Sequence, residues 1–174
     1  MRGLAGAEGV RALAKALGAV APPDTRLYLT GGATAVIEGW RERTVDIDLR
    51  IEPEDDGVMR RIVELKEELD VNVEFASPPD FIPELPGWRE RSPFVLAEGN
   101  LSVHHFDPYS QALSKVERGF DLDLVDVAAM IERGMVNPAH ALELYERIEP
   151  ELFRYPAIDP GSFRTRVERA FVQG

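Results

Sequence analysis

The sequence contains no cysteine, only two tryptophans and only three lysines among its 20 basic residues. Without cysteine there is no disulfide framework, no thiolate zinc site and no cysteine nucleophile. No apolar run approaches the roughly 18 residues that a membrane-spanning helix needs. Near the start, Glu8, Arg11 and Lys15 divide the stretch that a secretory signal would keep apolar. The expectation is a cytoplasmic chain with no membrane partner. Positive charge is scarce as well: 31 acidic residues against 20 basic give a net charge of −11. That balance argues against strong non-specific binding to nucleic acid, which depends on Lys and Arg neutralising phosphates. It leaves room for a local basic patch or a basic protein partner.

What is present is enough for a core. At 174 residues and 44% hydrophobic content, one domain is the default. The informative stretch runs from Arg26 to Ile51. Arg26-Leu27-Tyr28-Leu29-Thr30 is a short apolar and β-branched run that suits a strand, and Gly31-Gly32 breaks it. Ala33 to Trp40 then suits a helix, and Thr44-Val45-Asp46-Ile47-Asp48-Leu49 alternates as a half-buried strand does. Val45, Ile47 and Leu49 are expected on one face, Asp46 and Asp48 on the other. Two carboxylates side by side on one face repel each other, and a hard divalent cation removes that cost. Glycines at a strand-to-helix turn let a phosphate approach the backbone N–H groups. The plain alternative is a turn followed by a solvated strand face.

Gly31-Gly32, thirteen intervening residues, then Asp46-Ile47-Asp48 resembles the signature of the DNA polymerase beta-type nucleotidyltransferase superfamily. The resemblance implies a strand–helix–strand–helix–strand core and a third carboxylate on a following strand. Glu74 in Val71-Asn72-Val73-Glu74-Phe75 fills that position.

Around this stretch, Val10, Leu13, Ala14 and Leu17 form a helical stripe stopped by Gly18. Pro53 to Asp56 reads as the start of another helix, with Met59, Ile62, Val63, Lys66 and Leu69 carrying it to Asp70. The segment Ser77 to Trp88 has four prolines in nine residues and must be largely loop. In it Trp88 either stacks on a base or plugs the core, and Arg89 or Arg91 offers a cation to a phosphate. Phe94–Ala97 and Leu101–Phe106, flanking Glu98-Gly99-Asn100, read as a hairpin. His104 and His105 face opposite ways, whereas His105 and Asp107 share a face and read as a satisfied polar pair.

From Pro108 the pattern is helical. Gln111, Lys115 and Arg118 share a face that ends at Gly119. Two cations on one face suit a triphosphate or pyrophosphate, or else they serve the helix dipole. Asp121 is expected to cap the next helix, which runs to Glu132 with Asp123 and Asp126 one turn apart. Asn137-Pro138 caps a further helix with Ala141, Leu142, Tyr145 and Ile148 as its stripe. Phe163, Val167, Ala170 and Phe171 mark a last helix that docks on the domain. Lys115-Val116-Glu117-Arg118 followed by Asp123-Leu124-Val125-Asp126 is similar to the K-x-x-R and D-[LI]-x-D of AbiEii-type toxin nucleotidyltransferases. The link Gly119-Phe120 is less basic than that pattern.

Together these readings give an α+β fold, a mixed-sheet nucleotidyltransferase-like core over 1–106 and a helical region over 107–174 packed on it as one compact unit. The resemblance implies catalytic roles for Asp46, Asp48, Glu74, Lys115 and Asp123, with Arg118 and Asp126 in support. It implies two Mg²⁺ ions, or Mn²⁺, at Asp46, Asp48 and Glu74. Nucleotide would be bound by Gly31, Gly32, Thr34, Lys115 and Arg118. The expected partners are an NTP, an unknown acceptor (tRNA or a small molecule) and an antitoxin protein. The rival expectation is an inactive nucleotide-binding or protein-interaction module with the same fold.

Overall fold

The structure is a computed structural model, described over residues 2–172. The chain divides into two compact units, Met1–Ser77 with Ser92–Phe106, and Pro78–Arg91 with Asp107–Gly174.

The first unit is a mixed sheet covered by helices. Its elements are α1 (Ala7–Gly18), β1 (Thr25–Thr30), α2 (Gly32–Glu38), β2 (Asp46–Glu52), α3 (Asp56–Glu68), β3 (Asn72–Phe75), β4 (Phe94–Glu98) and β5 (Leu101–His105). The strand order is β3-β2-β1-β5-β4. β1 runs antiparallel to β2 and parallel to β5, and β2 runs parallel to β3. Alternation sorts the side chains. Leu27, Leu29, Ile47, Leu49, Ile51, Val73, Leu101 and Val103 are buried in one cluster with Val10, Leu13 and Leu17 of α1 and Val58, Ile62 and Leu65 of α3. The intervening residues, Asp46, Asp48 and Arg50 among them, therefore lie on the opposite face, which is open at β2 and β3 and closed over Tyr28, Thr30 and His104.

The stripe on α1 is the one expected. On α3 it is displaced, with Val58, Ile62 and Leu65 buried and Val63 67% exposed. Ile62 is buried as expected and Leu69 packs against the core, but Val58 and Leu65 replace Met59 and Val63 on the buried side; Asp55 caps the helix, its carboxylate accepting from the Val58 N–H at 2.9 Å. Val45 is also exposed, since β2 begins only at Asp46. The hairpin forms as expected, with a two-residue turn at Gly99-Asn100.

The second unit is helical. It contains a 3₁₀ turn (Pro78–Asp80), α4 (Trp88–Arg91), α5 (Pro108–Arg118), α6 (Asp121–Glu132), α7 (Pro138–Ile148), a second 3₁₀ stretch (Glu149–Arg154) and α8 (Pro160–Phe171). Phe163, Val167 and Phe171 bury one stripe of α8, which packs against α5 and α7. Asn137 caps α7 as its sequence implies, accepting from the His140 N–H. The buried stripe of α7 takes Leu144 in preference to Leu142. Asp121 is the first residue of α6, and Phe120 occupies the cap position without a side-chain bond.

Candidate active site on the open sheet face

The β1–β2 and β2–β3 registers set Thr30, Asp48 and Glu74 in one row across three strands. Registered neighbours point to the same face, about 4.8 Å apart along the row. Asp46 stands two residues along β2 from Asp48, opposite Asn72. Three carboxylates thus share one corner of the open face, Asp46 and Asp48 half-buried and Glu74 exposed.

Their side chains are not gathered into one cluster. The Asn72 amide donates to Asp46 Oδ1 and lies 3.5 Å from Glu74 Oε1. Asp48 turns toward the glycine turn: its Oδ2 lies 3.0 Å from where a Cβ on Gly31 would stand. Among the described residues, no group of three His, Asp or Glu side chains is close enough to hold a metal ion. Asn72, which sequence reasoning passed over, is the neutral group between two of the acids. Its place in the alternating run with Glu74 was the available signal.

The two glycines differ in kind. Gly31 has φ 60° and ψ −131°, in the region that favours glycine, and it is only partly buried. Gly32 is buried, and a Cβ there would stand 2.0 Å from Thr44 Oγ1. Its missing side chain makes room for Thr44 and leaves none for a ligand. Thr34, in the first turn of α2, is fully buried; its hydroxyl faces the Leu29 carbonyl at 3.3 Å and His105 Nδ1 at 3.0 Å.

His105 does not pair with Asp107. Its Nε2 meets Glu38 Oε1 at 2.7 Å, so the ring joins two positions one helical turn apart on α2. Burial lowers the His105 pKa, opposed by the Glu38 hydrogen bond, and burial lowers that of His104 too. Asp107 instead caps α5 and accepts from Arg91 at 2.7 Å and Ser110 at 2.8 Å.

Lys115, Arg118, Asp123 and Asp126 meet one another in the second unit. Lys115 Nζ donates to Asp126 Oδ2 at 2.8 Å and lies 3.7 Å from Asp123 Oδ1. Arg118 reaches the same Asp123 oxygen at 2.5 Å. Lys115, Asp123 and Asp126 are buried, whereas the Arg118 side chain is 46% exposed. Asp123 Oδ2 is buried with no hydrogen-bond partner among the described residues. Trp88 is a plug, 1% exposed, with Nε1 donating to Glu84 Oε1 at 2.6 Å. Arg89 lies over its ring at 4.3 Å.

Comparison with protein families finds one model, described as a nucleotidyltransferase of unknown function (DUF6036), that matches residues 10–149. Searches of curated proteins and of solved structures find no match.

Proposed function

We propose that this chain, which belongs to the DUF6036 family of nucleotidyltransferases of unknown function, transfers a nucleoside monophosphate from an NTP to an acceptor hydroxyl. The observation that carries the reading is the corner of the open face, where Asp48 stands beside Glu74 and leans on the Gly31 turn. All three acids there are hard oxygen donors, and Mg²⁺ is typically held by one or two carboxylates plus substrate phosphates. Asp46, Asp48 and Glu74 would hold it once Asp46 exchanges its bond to Asn72 for the ion. When bound, such an ion neutralises charge on the phosphates and on the attacking and leaving oxygens.

The chain's own residues do the rest. Gly31, with no Cβ, lets the Asp48 carboxylate sit against the turn, where an ion held by Asp48 would meet the nucleotide phosphates. Glu74, exposed at the end of the row, takes the proton of the acceptor hydroxyl as its oxygen attacks the α-phosphorus and pyrophosphate departs. The clamp of Thr34, Glu38 and His105, buried at Thr34 and His105, holds α2, and with it the Gly31 turn, against the sheet.

The deciding experiment is titration of the protein with each NTP, with and without Mg²⁺, for wild type and Asp46→Ala/Asp48→Ala. Mg²⁺-dependent binding that disappears in the variant supports the reading. A tRNA or small-molecule acceptor is then sought with labelled NTP of the preferred base. For the toxin role, the expected outcome is growth arrest on expression, relieved by Asp48→Ala and by a cognate antitoxin.

A second reading is favoured by two observations: the three carboxylates do not converge on one point, and Lys115 is already neutralised by Asp126. On it the chain is a nucleotide-binding or protein-interaction module without chemistry. Nucleotide binding that needs no divalent ion and survives Asp46→Ala/Asp48→Ala would select it.

A further inference from the structure

α6 divides its polarity unusually. Its buried residues are Asp123 and Asp126, which meet the cations of α5, together with Val127 and Met130, while Leu122, Leu124 and Val125 are each more than 40% exposed. A surface helix ordinarily turns its apolar stripe to the core and its charges to water. Here ion pairs share the buried side with apolar residues, and Leu124, Val127, Ala128 and Ile131 supply one wall of a cavity.

That cavity, about 560 Å³, lies wholly within the second unit, bounded by the end of α5, α6, the start of α7 and α8. Its walls are aliphatic: Val116, Leu124, Val127, Ala128, Ile131 and Ala170. The size falls within the range of small-molecule sites, and an apolar pocket with a few convergent polar groups is the usual form of one. The polar groups are set at the edge. Arg166 and Arg169, three residues apart on α8, supply two guanidinium groups, and Glu132 is the one acidic residue of the lining. Arg166 is fixed by donation from Nη1 to the Glu117 carbonyl. Arg169 makes no hydrogen bond or ion pair among the described residues. On a chain with net charge −11, Arg166 also feels the Glu117 and Asp159 carboxylates, so Arg169 is the less compensated cation at the edge of the cavity.

We infer that this cavity binds a small amphiphile with a compact aliphatic body and one carboxylate, the body against Leu124, Ala128 and Ile131 and the carboxylate at Arg166 and Arg169. The guanidinium fork suits a planar two-oxygen head. Glu132 disfavours a second anionic group, so a monocarboxylate fits better than a dicarboxylate. The cavity is bounded by four helices, which favours a compact ligand over a partner helix laid along an open groove.

The test is calorimetric titration of the full chain with decanoate, decan-1-ol and decanedioate. Saturable one-to-one binding of decanoate is expected, at least tenfold tighter than either of the others. Arg166→Ala/Arg169→Ala should weaken decanoate at least tenfold and leave decan-1-ol unchanged. Ala128→Trp, which fills the cavity, should abolish both. Both arginines are exposed, so the double variant should lose little beyond the Arg166 bond to Glu117 and melt within about 4 °C of the wild type, and Mg²⁺-dependent NTP binding in all variants separates failure here from failure of the reaction proposed above. Equal affinity for decanoate and decan-1-ol, or decanoate binding indifferent to the arginines, overturns the inference. So does sedimentation showing a dimer that Leu124→Glu dissociates, because a second copy would then cover the cavity.

Discussion

On the open sheet face, Asp46 and Glu74 flank the neutral amide of Asn72 and remain half-buried or exposed. On the α5–α6 pair, Asp123 and Asp126 are buried, and each meets a cation. Both regions hold the short acidic spacings that the sequence makes prominent, yet the surroundings differ. A carboxylate met by an amide at a wet surface keeps its charge available to an incoming ion. A carboxylate buried against an ammonium has that charge already compensated, and its loss is felt as instability. The same residue type therefore points to chemistry in one place and to architecture in the other.

The sharpest way to break this comparison is Asp48→Ala. If the open face is the reactive one, nucleotidyl transfer falls by about 100- to 1000-fold, the scale seen when a group stabilising transition-state charge is removed. Unfolding in urea should move little, since Asp48 is only half-buried. Lys115→Met tests the other side. It removes the ammonium from Asp126, 1% exposed, and breaking a buried ion pair from one side costs about 3–5 kcal/mol. Urea unfolding measures that loss. Should activity collapse while stability stays unchanged, Lys115 belongs to the reaction and the comparison fails.

The polar and turn-making residues made the first unit legible. Gly31-Gly32, the alternation through Asp46 and Asp48, and the hairpin at Gly99 are local signals, and local geometry realises them. The α3 stripe was partly misjudged because Met59, Ile62 and Val63 and the set Val58, Ile62 and Leu65 both have helical spacing, and only packing against the sheet selects the second. The partner of His105 was misjudged for a related reason. Sharing a strand face with Asp107 is a period-2 argument, whereas Glu38 and Thr34 reach it from α2 across the sheet. Gly32 belongs to the same class: its neighbour Thr44 is twelve residues on, and no spacing rule reveals the contact.

The glycines sharpen the distinction between site and scaffold at a smaller scale. Gly32→Ala would force a Cβ to within 2.0 Å of Thr44 Oγ1 and 2.7 Å of Thr44 Cβ. Overpacking of this kind costs about 1–3 kcal/mol. Thr44→Ala in the same chain should recover only part of that loss, because the Cβ contact persists. Gly31→Ala meets Asp48 Oδ2 at 3.0 Å and a positive φ of 60°, a strain of about 1–3 kcal/mol. Its larger consequence should be on the KM for NTP, since Asp48 has to shift. Thermal unfolding and steady-state kinetics on the two variants separate a scaffold glycine from a site glycine.

The smallest effect is a pH dependence in the first unit. Burial lowers the pKa of His105 and His104 below the ordinary 6.5, so the folded state binds fewer protons than the unfolded chain just under that value. Stability is therefore full above pH 6.5 and declines as pH falls from 6.5 through the lowered folded values. The slope is at most about 1.4 kcal/mol per pH unit for each ring. The carboxylates held down by hydrogen bonds, Glu149 to Arg164 and Asp159 to Ser162, titrate at lower pH, whereas Glu117, raised by burial, contributes with the opposite sign. His105→Gln keeps an amide donor toward Glu38 but cannot titrate. It should flatten the decline between pH 6.5 and 5 in urea unfolding, while costing about 1 kcal/mol at pH 7.5 for the less well-fitted bond. An unchanged slope would mean that the imidazole is already charged in the folded state, paired with Glu38. The clamp on α2 would then be ionic, and the first unit would hold an ion pair beneath its glycine turn of the same kind that fastens α6 to α5.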